Sequence, residues 1–200
     1  ENALVHIGID LDNTIINYAG VFHQVANDLG WIPSSVGQSK AEVKQHFIDN
    51  DNEVQWTELQ GLVYGKEIYK AKPYPGCIDA LRELNNQGYI LSIISHKTRY
   101  PVIGDRVNLQ EAAKNWLVEN KITGINSPVI PLTNIFFRET KSAKIQTIRE
   151  KQCGIFIDDL VEILTHTNFP SSTKCILFSE QAQAHEIKQI KHWNQLLELI

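Results

Sequence analysis

The segment D-L-D-N-T at residues 10–14 carries the first residues suited to chemistry, and it directly follows the apolar run V-H-I-G-I. Asp10 and Asp12 therefore stand at the end of a predicted buried strand, where a carboxylate has no packing role. Two carboxylates at one strand end can bind a divalent cation, act as a nucleophile or exchange a proton with a substrate. The structural alternative is an ordinary turn, in which Asp and Asn are common.

Three further apolar runs also end in polar residues. These are Ser95 and His96 after Y-I-L-S-I-I, Lys141 and Lys144 after N-I-F-F, and the pair Asp158 and Asp159 after G-I-F-I. Each set has a structural alternative: the acidic pair could cap a helix, the serine hydroxyl could bond locally, and the lysines could be solvated charges at a helix start. Lys97 and Arg99, together with His96, could hold a second anionic group of a substrate or belong to a solvated loop.

The elements that must hold these residues alternate between short apolar runs and amphipathic stretches. The five runs predicted as strands are residues 4–10, 89–95, 134–137, 154–158 and 174–178. The stretches C-I-D-A-L-R-E-L-N-N-Q-G, N-L-Q-E-A-A-K-N-W-L-V-E-N-K and S-A-K-I-Q-T-I-R-E-K have the apolar spacing of helices. Near-continuous apolar strands that alternate with such helices predict a doubly wound α/β fold with a parallel five-stranded sheet covered on both faces.

Residues 16–72 break this alternation, because they lie between the first strand and the first crossover helix. Their three pieces, A-G-V-F-H-Q-V-A-N-D-L-G-W, S-K-A-E-V-K-Q-H-F-I-D and W-T-E-L-Q-G-L-V-Y-G-K-E-I-Y-K, predict helices broken by Pro33, Gly37, the D-N-D-N-E turn and Gly61. A structureless loop of this length is uncommon in a compact protein. We therefore predict a core of residues 1–15 and 73–200, with a small helical insertion over residues 16–72.

The predicted topology brings the polar strand ends together, because ligands of doubly wound sheets bind at the carboxyl ends of the strands. The four carboxylates expected there are Asp10, Asp12, Asp158 and Asp159. Each close pair would repel by on the order of 4 kcal/mol at about 4 Å and an effective dielectric constant near 20. An all-oxygen site without His or Cys suits Mg²⁺, which often shares its coordination with a substrate phosphate. A lysine would supply the remaining positive charge.

In this order, the motifs resemble those of the haloacid dehalogenase (HAD) superfamily, specifically its phosphatase branch. The resemblance rests on D-L-D-N-T, then Ser95 at a strand end, then a lysine at a helix start, then F-I-D-D-L at residues 156–160. It covers the core outside the insertion. It implies a Rossmann-like, HAD-like fold with a small α-helical cap, Mg²⁺ as cofactor, and hydrolysis of phosphoric monoesters through an aspartyl phosphate.

The resemblance also implies a role for each motif residue. Asp10 would be the nucleophile and a metal ligand, and Asp12 would be the general acid and base, with its backbone carbonyl on the metal. The phosphate-binding set would be Thr14, Ser95, His96 and Lys141, with the His96 backbone amide and the Ser95 hydroxyl gripping the phosphoryl oxygens. Asp159 would bind the metal directly and Asp158 through water. Lys141 is preferred over Lys144 as the catalytic lysine, because Thr140 or Ser142 can cap the helix there.

The second aspartate of the first motif selects the branch within this resemblance. Dehalogenases lack it and ion-pumping ATPases have Lys there, so Asp12 favours the hydrolysis of a small phosphorylated metabolite, of the sugar phosphate or nucleotide class. The alternatives are a small-molecule phosphotransferase of the same family, a receiver-like signalling module and a non-catalytic scaffold. A receiver carries its acidic pair at the first strand, whereas the pair follows the lysine in this chain.

Composition limits the classes of partner that the protein is expected to bind and indicates its cellular compartment. The 200 residues carry a formal net charge of −4, which disfavours a nucleic-acid or anionic-membrane surface, since both reward clustered Lys and Arg. Cys77, Cys153 and Cys175 are odd in number and lack any C-x-x-C spacing, which predicts free thiols in the cytoplasm. The sequence leaves the oligomeric state open.

Overall fold

A computed structural model describes residues 4–126, 128–183 and 186–200. Its strands and longer helices, in chain order, are β1 (His6–Ile9), β2 (Ile16–Asn17), α1 (Val21–Asp28), α2 (Lys40–Asp49), α3 (Glu53–Tyr64), β3 (Lys72–Pro73), α4 (Cys77–Asn86), β4 (Ile90–His96), α5 (Leu109–Glu119), β5 (Ile135–Arg138), α6 (Lys141–Glu150), β6 (Ile155–Asp158), α7 (Val161–Leu164), β7 (Lys174–Phe178), β8 (Lys188–Ile190) and α8 (Leu196–Leu199). The chain divides into two compact units. The core unit comprises Glu1–Ile16, Pro73–Lys97 and Leu117–Ile200, and the helical unit comprises Asn17–Lys72 and Thr98–Trp116.

The core unit is built on a parallel sheet of six strands in the order β5-β4-β1-β6-β7-β8. All five predicted strands are present, which confirms the α/β class and the parallel sheet. The sixth strand, β8, was not predicted, because it has only three residues, Lys-Gln-Ile, and lies at the sheet edge, where polar side chains are tolerated. The short β2 and β3 form a separate two-stranded sheet.

Apolar side chains between the sheet and α6 form one part of the core. Ile94 of β4, Phe156 of β6 and Ile148 of α6 belong to one fully buried cluster. Gly8 of β1 completes this layer by having no side chain, because a Cβ there would lie 2.7 Å from the ring of Phe156 and 2.9 Å from Sγ of Cys153. The close approach of these groups explains why glycine stands inside a buried strand.

The register of the sheet sets the location of the polar strand ends. Ile9 of β1 lies beside Ile93 of β4 and beside Ile157 of β6. The residues that follow these three positions therefore emerge side by side at the carboxyl edge of the sheet. This edge holds both acidic motifs, because β1 lies directly between β4 and β6.

The helical unit contains the three predicted helices of the insertion and one further segment. Thr98–Trp116 belongs to this unit, whereas the sequence analysis assigned it to the core. Within the unit, the Trp116 indole donates a hydrogen bond to the Ala71 carbonyl at 3.0 Å. The prediction that Gly61 breaks a helix is wrong, because Gly61 lies inside α3. A Cβ at this position would come within 2.9 Å of Pro101.

Two expectations from composition can be compared with the described residues. Cys77, Cys153 and Cys175 are free thiols, as the spacing predicted. In the described part of the chain, no helix combines the length and the apolar character required to cross a bilayer.

Candidate active site

The loop that follows β1 is held tightly to the sheet. The Asp10 amide donates to the Ile157 carbonyl at 2.9 Å, which extends the pairing with β6 by one residue. The Leu11 carbonyl then accepts from the amides of Ile15 and Ile16 at 2.9 and 3.0 Å. Asn13 takes the left-handed conformation, with φ of 62°, which Asn adopts more readily than most residues. The loop therefore presents Asp10 and Asp12 from a defined backbone.

Two side chains brace this loop from within the core unit. The Thr14 hydroxyl donates to Oδ2 of Asp10 at 3.0 Å. The indole of the fully buried Trp193 donates to the Thr14 carbonyl at 2.8 Å. Thr14 therefore orients Asp10 and is itself held by Trp193; its predicted place in the phosphate-binding set stays a prediction. Trp193 was not predicted, since nothing in the sequence links two residues so far apart along the chain.

A buried lysine lies between the two acidic motifs. Lys144 Nζ donates to Oδ1 of Asp10 at 2.8 Å and to Oδ2 of Asp158 at 2.7 Å, and Lys144 is only 2% exposed. Burial alone would lower the pKa of this ammonium, but the charges of Asp10 and Asp158 outweigh that effect and raise the pKa above its ordinary value. Lys144 is therefore positively charged and cross-links β1, β6 and α6 at the carboxyl edge.

The preference for Lys141 is not supported by this geometry. Lys141 is exposed and pairs with Glu162 at 3.0 Å, whereas Lys144 faces the carboxylates. Thr140 does cap α6, accepting from the Ala143 amide at 3.0 Å, so the helix begins where predicted. Lys141 starts about 4.5 Å nearer the N-terminus of α6 than Lys144, and its amine contacts the exposed Glu162.

Three carboxylates form a cluster beside this lysine. Oxygens of Asp10, Asp158 and Asp159 lie within 4.8 Å of one another. Burial raises the pKa of Asp158 to about 6, with the charge of Asp10 adding to the shift and Lys144 opposing it. Burial also raises the pKa of Asp159 to about 10, reinforced by Asp10 and then Asp158. The cluster thus carries more negative charge than Lys144 balances.

This arrangement fits a small divalent cation. The donor set is entirely carboxylate oxygen, which is the ligand type that Mg²⁺ prefers. The pKa values of Asp158 and Asp159 are raised first by burial and then by neighbouring carboxylate charge, and a bound cation would offset both effects. Of the four carboxylates predicted as metal ligands, the structure brings together three. Oδ2 of Asp12 lies 2.8 Å from Lys97 Nζ. The ligand predicted from Asp12 was its backbone carbonyl, and that role stays a prediction.

Asp12 is paired with a second buried lysine, Lys97, for which a contact with Asp12 was not predicted. Lys97 Nζ lies 2.8 Å from Oδ2 of Asp12, and the Lys97 side chain is 4% exposed. Of the two alternatives given for Lys97, a contact with a second anionic group of the substrate or a solvated loop, the buried side chain contradicts the solvated loop. A signal was present, because Lys97 follows Ser95 by two residues and strand residues two apart share a face.

The strand end at β4 separates the two predicted phosphate ligands. Ser95 is buried, 1% exposed, at the same edge as the acidic motifs. His96 points to the other face and is exposed, with Nε2 3.2 Å from the Glu139 carbonyl. The imidazole is therefore not gathered with the carboxylates. The predicted contribution of His96 was its backbone amide, and that role stays a prediction.

Comparison with known proteins identifies the fold. No protein-family model and no curated protein sequence matches this chain. Among solved structures, a HAD-superfamily hydrolase of subfamily IA from Geobacter sulfurreducens has 10% identity and a TM-score of 0.62, with 98% of this chain and 96% of that chain covered. A predicted phosphoglycolate phosphatase from Haemophilus somnus has 12% identity and a TM-score of 0.58, covering 98% and 97%. A dehalogenase has 11% identity and a TM-score of 0.55, covering 100% and 98%.

Proposed function

We propose that this chain, which has the fold of the HAD-superfamily hydrolases, is a Mg²⁺-dependent phosphatase of small phosphorylated metabolites, of the sugar phosphate or nucleotide class. The fold alone does not choose the reaction, because similar structures include both a predicted phosphatase and a dehalogenase. The observation that carries the proposal is the cluster of Asp10, Asp158 and Asp159, in which Lys144 contacts Asp10 and Asp158. Asp12 follows Asp10 by two residues.

Asp10 is the proposed nucleophile. Thr14 holds one of its oxygens and Lys144 holds the other, so the carboxylate has one orientation at the end of β1. An Asp10 oxygen attacks phosphorus, the bond from phosphorus to the ester oxygen breaks, and an aspartyl phosphate forms. Lys144 stabilises the negative charge of the phosphoryl group as it is transferred.

Asp12 is the proposed proton donor and acceptor. Its carboxyl group gives a proton to the leaving ester oxygen, which departs as an alcohol. The resulting Asp12 carboxylate then takes a proton from the water that attacks the aspartyl phosphate. Inorganic phosphate leaves, and Asp10 and Asp12 return to their starting states. The two aspartates of the first motif thus divide nucleophilic and acid–base work between them.

The cation would be held by the carboxylates of Asp10, Asp158 and Asp159 and by the backbone carbonyl of Asp12. When bound, Mg²⁺ would screen the repulsion between the Asp10 carboxylate and the substrate phosphate. Ser95 and the His96 amide are proposed to bind the phosphoryl oxygens, since Ser95 is buried at the same sheet edge.

The helical unit is proposed to act as a cap that selects the leaving group. Its α1–α3 segment follows the loop that bears Asp10 and Asp12 after only a few residues of the chain. A closing cap excludes water and favours a particular alcohol. The free thiols fit the reducing cytoplasm, where we propose that the protein acts.

The test is phosphate release from p-nitrophenyl phosphate by the purified chain in the presence of Mg²⁺. We expect activity that requires Mg²⁺ and that Asp10→Asn abolishes. The matched control, Asp79→Asn, changes an exposed aspartate in the first turn of α4 and should retain activity. Full activity of Asp10→Asn would contradict the assignment of the nucleophile. Halide release from a 2-haloacid, without phosphate release, would replace phosphatase by dehalogenase chemistry.

A further inference from the structure

Lys97 is a buried charged residue that the proposed chemistry above does not use. It is the first residue after β4, and its backbone amide donates to the Arg138 carbonyl at 2.8 Å, which continues the pairing with β5. Its side chain is 4% exposed. A lysine is rarely buried to this extent without a specific partner, because the ammonium loses its hydration. The partner given by the structure is Asp12.

The two buried lysines of the site form ion pairs with different carboxylates. Lys144 contacts Asp10 and Asp158, which are the proposed nucleophile and a member of the cation cluster. Lys97 contacts Asp12, which is the proposed acid and base, at 2.8 Å. Simple neutralisation of the acidic edge does not require one lysine at the proposed nucleophile and a separate lysine at the proposed acid and base.

We propose that Lys97 is a positioning residue for proton transfer by Asp12, an inference that rests on the phosphatase function proposed above. Lys97 holds Oδ2 of Asp12 by hydrogen bonding and charge, so the carboxyl group cannot rotate freely. An ammonium has donors but no lone pair, so the oxygen facing Lys97 is the wrong one to carry a proton. The ammonium also stabilises the carboxylate that forms when the proton leaves.

Under this proposal, the contribution of Lys97 to kcat/KM depends on how strongly the leaving group needs a proton. A phenolate with electron-withdrawing substituents departs without a proton, whereas a more basic phenolate needs one. Substituted phenyl phosphates provide such a series with nearly constant size. The ratio kcat/KM reports the steps through departure of the leaving group, so it isolates the donation step from the later attack of water.

The experiment compares the wild type, Lys97→Met and the control Lys174→Met on this series, from p-nitrophenyl to unsubstituted phenyl phosphate. Lys174 is exposed at the start of β7, at the opposite end of the sheet. We expect Lys97→Met to lower kcat/KM by less than about threefold for p-nitrophenyl phosphate and by about 10²-fold for phenyl phosphate, the size of a lost general acid. A uniform loss across the series would overturn the proposal, since it would indicate a distorted site or a direct contact with phosphate.

A second comparison includes a double variant that removes both charges of the pair, so that neither the ammonium nor the carboxylate is left without its counter-charge. In the Asp12→Asn background, the added Lys97→Met change should leave kcat/KM unaltered, because the proposed role of Lys97 is exerted on the Asp12 carboxyl group. A further tenfold loss there would also overturn the proposal. Failure of the phosphatase function itself has a different signature: the wild type would then hydrolyse no member of the series.

Discussion

Replacement of Lys144 by Met is the most direct test of how the acidic edge is stabilised. The substitution keeps most of the aliphatic volume and removes the charge at the point where two carboxylates converge. Asp10 and Asp158 would lose ion pairs of 2.8 and 2.7 Å in a site where Lys144 is 2% exposed. Asp159, whose pKa is already raised to about 10, would remain beside them. The folded state would then hold uncompensated buried negative charge.

The expected magnitude follows from these distances and from the burial. At about 2.75 Å and an effective dielectric constant near 20, each contact contributes about 6 kcal/mol of attraction. Dehydration of the ammonium and ordering of its side chain cancel most of that total. Removing one partner from a buried ion pair therefore costs about 3–5 kcal/mol. For a chain of this length, that loss corresponds to a decrease in Tm on the order of 10 °C.

The assay is urea and thermal unfolding of Lys144→Met beside Lys141→Met, without added cations. Lys141 makes an exposed pair with Glu162, so its loss should cost about 0–1 kcal/mol. The penalty for Lys144→Met should be smaller near pH 5 than near pH 8. Without the ammonium, which opposes the rise, the pKa of Asp158 in the folded variant lies still further above its unfolded value of about 4, so stability falls as pH rises above that value. Equal penalties for the two variants, or a penalty that grows at low pH, would refute the reasoning.

Two further predictions concern the sheet and the cation. Gly8→Ala should lower the free energy of unfolding by about 1–3 kcal/mol, because the new Cβ would lie 2.7 Å from the Phe156 ring; unchanged urea midpoints would show that the ring moves aside freely. The increase in Tm caused by Mg²⁺ should grow from about pH 6 to about pH 9, because the raised pKa values of Asp158 and Asp159, about 6 and about 10, mean that protons compete with the cation. A Mg²⁺ effect that shrinks as pH rises would exclude these carboxylates as its ligands.

Strand ends were predictable because both of their signals are local. The apolar runs before Asp10 and Asp158 mark buried strands, and the polarity change marks where each strand leaves the core. Parallel pairing then requires the two ends to share one edge. By contrast, β8 and the segment Thr98–Trp116 have no such local signal, since their places depend on which neighbour they pack against.

The sequence by itself determined the fold class, the order of the motifs and the identity of the acidic residues. These properties depend on the periodicity of apolar residues and on residue type, and both are local features of the chain. Only the tertiary structure decided which lysine pairs with which carboxylate. Lys144 and Lys141 differ by less than one helical turn, and Lys97 follows a strand by one residue, so side-chain direction and depth determine their partners. Those properties arise from the packing of α6 on β4 and β5 of the sheet, which no local pattern specifies. The structure thus pairs Lys144 with Asp10 and Lys97 with Asp12.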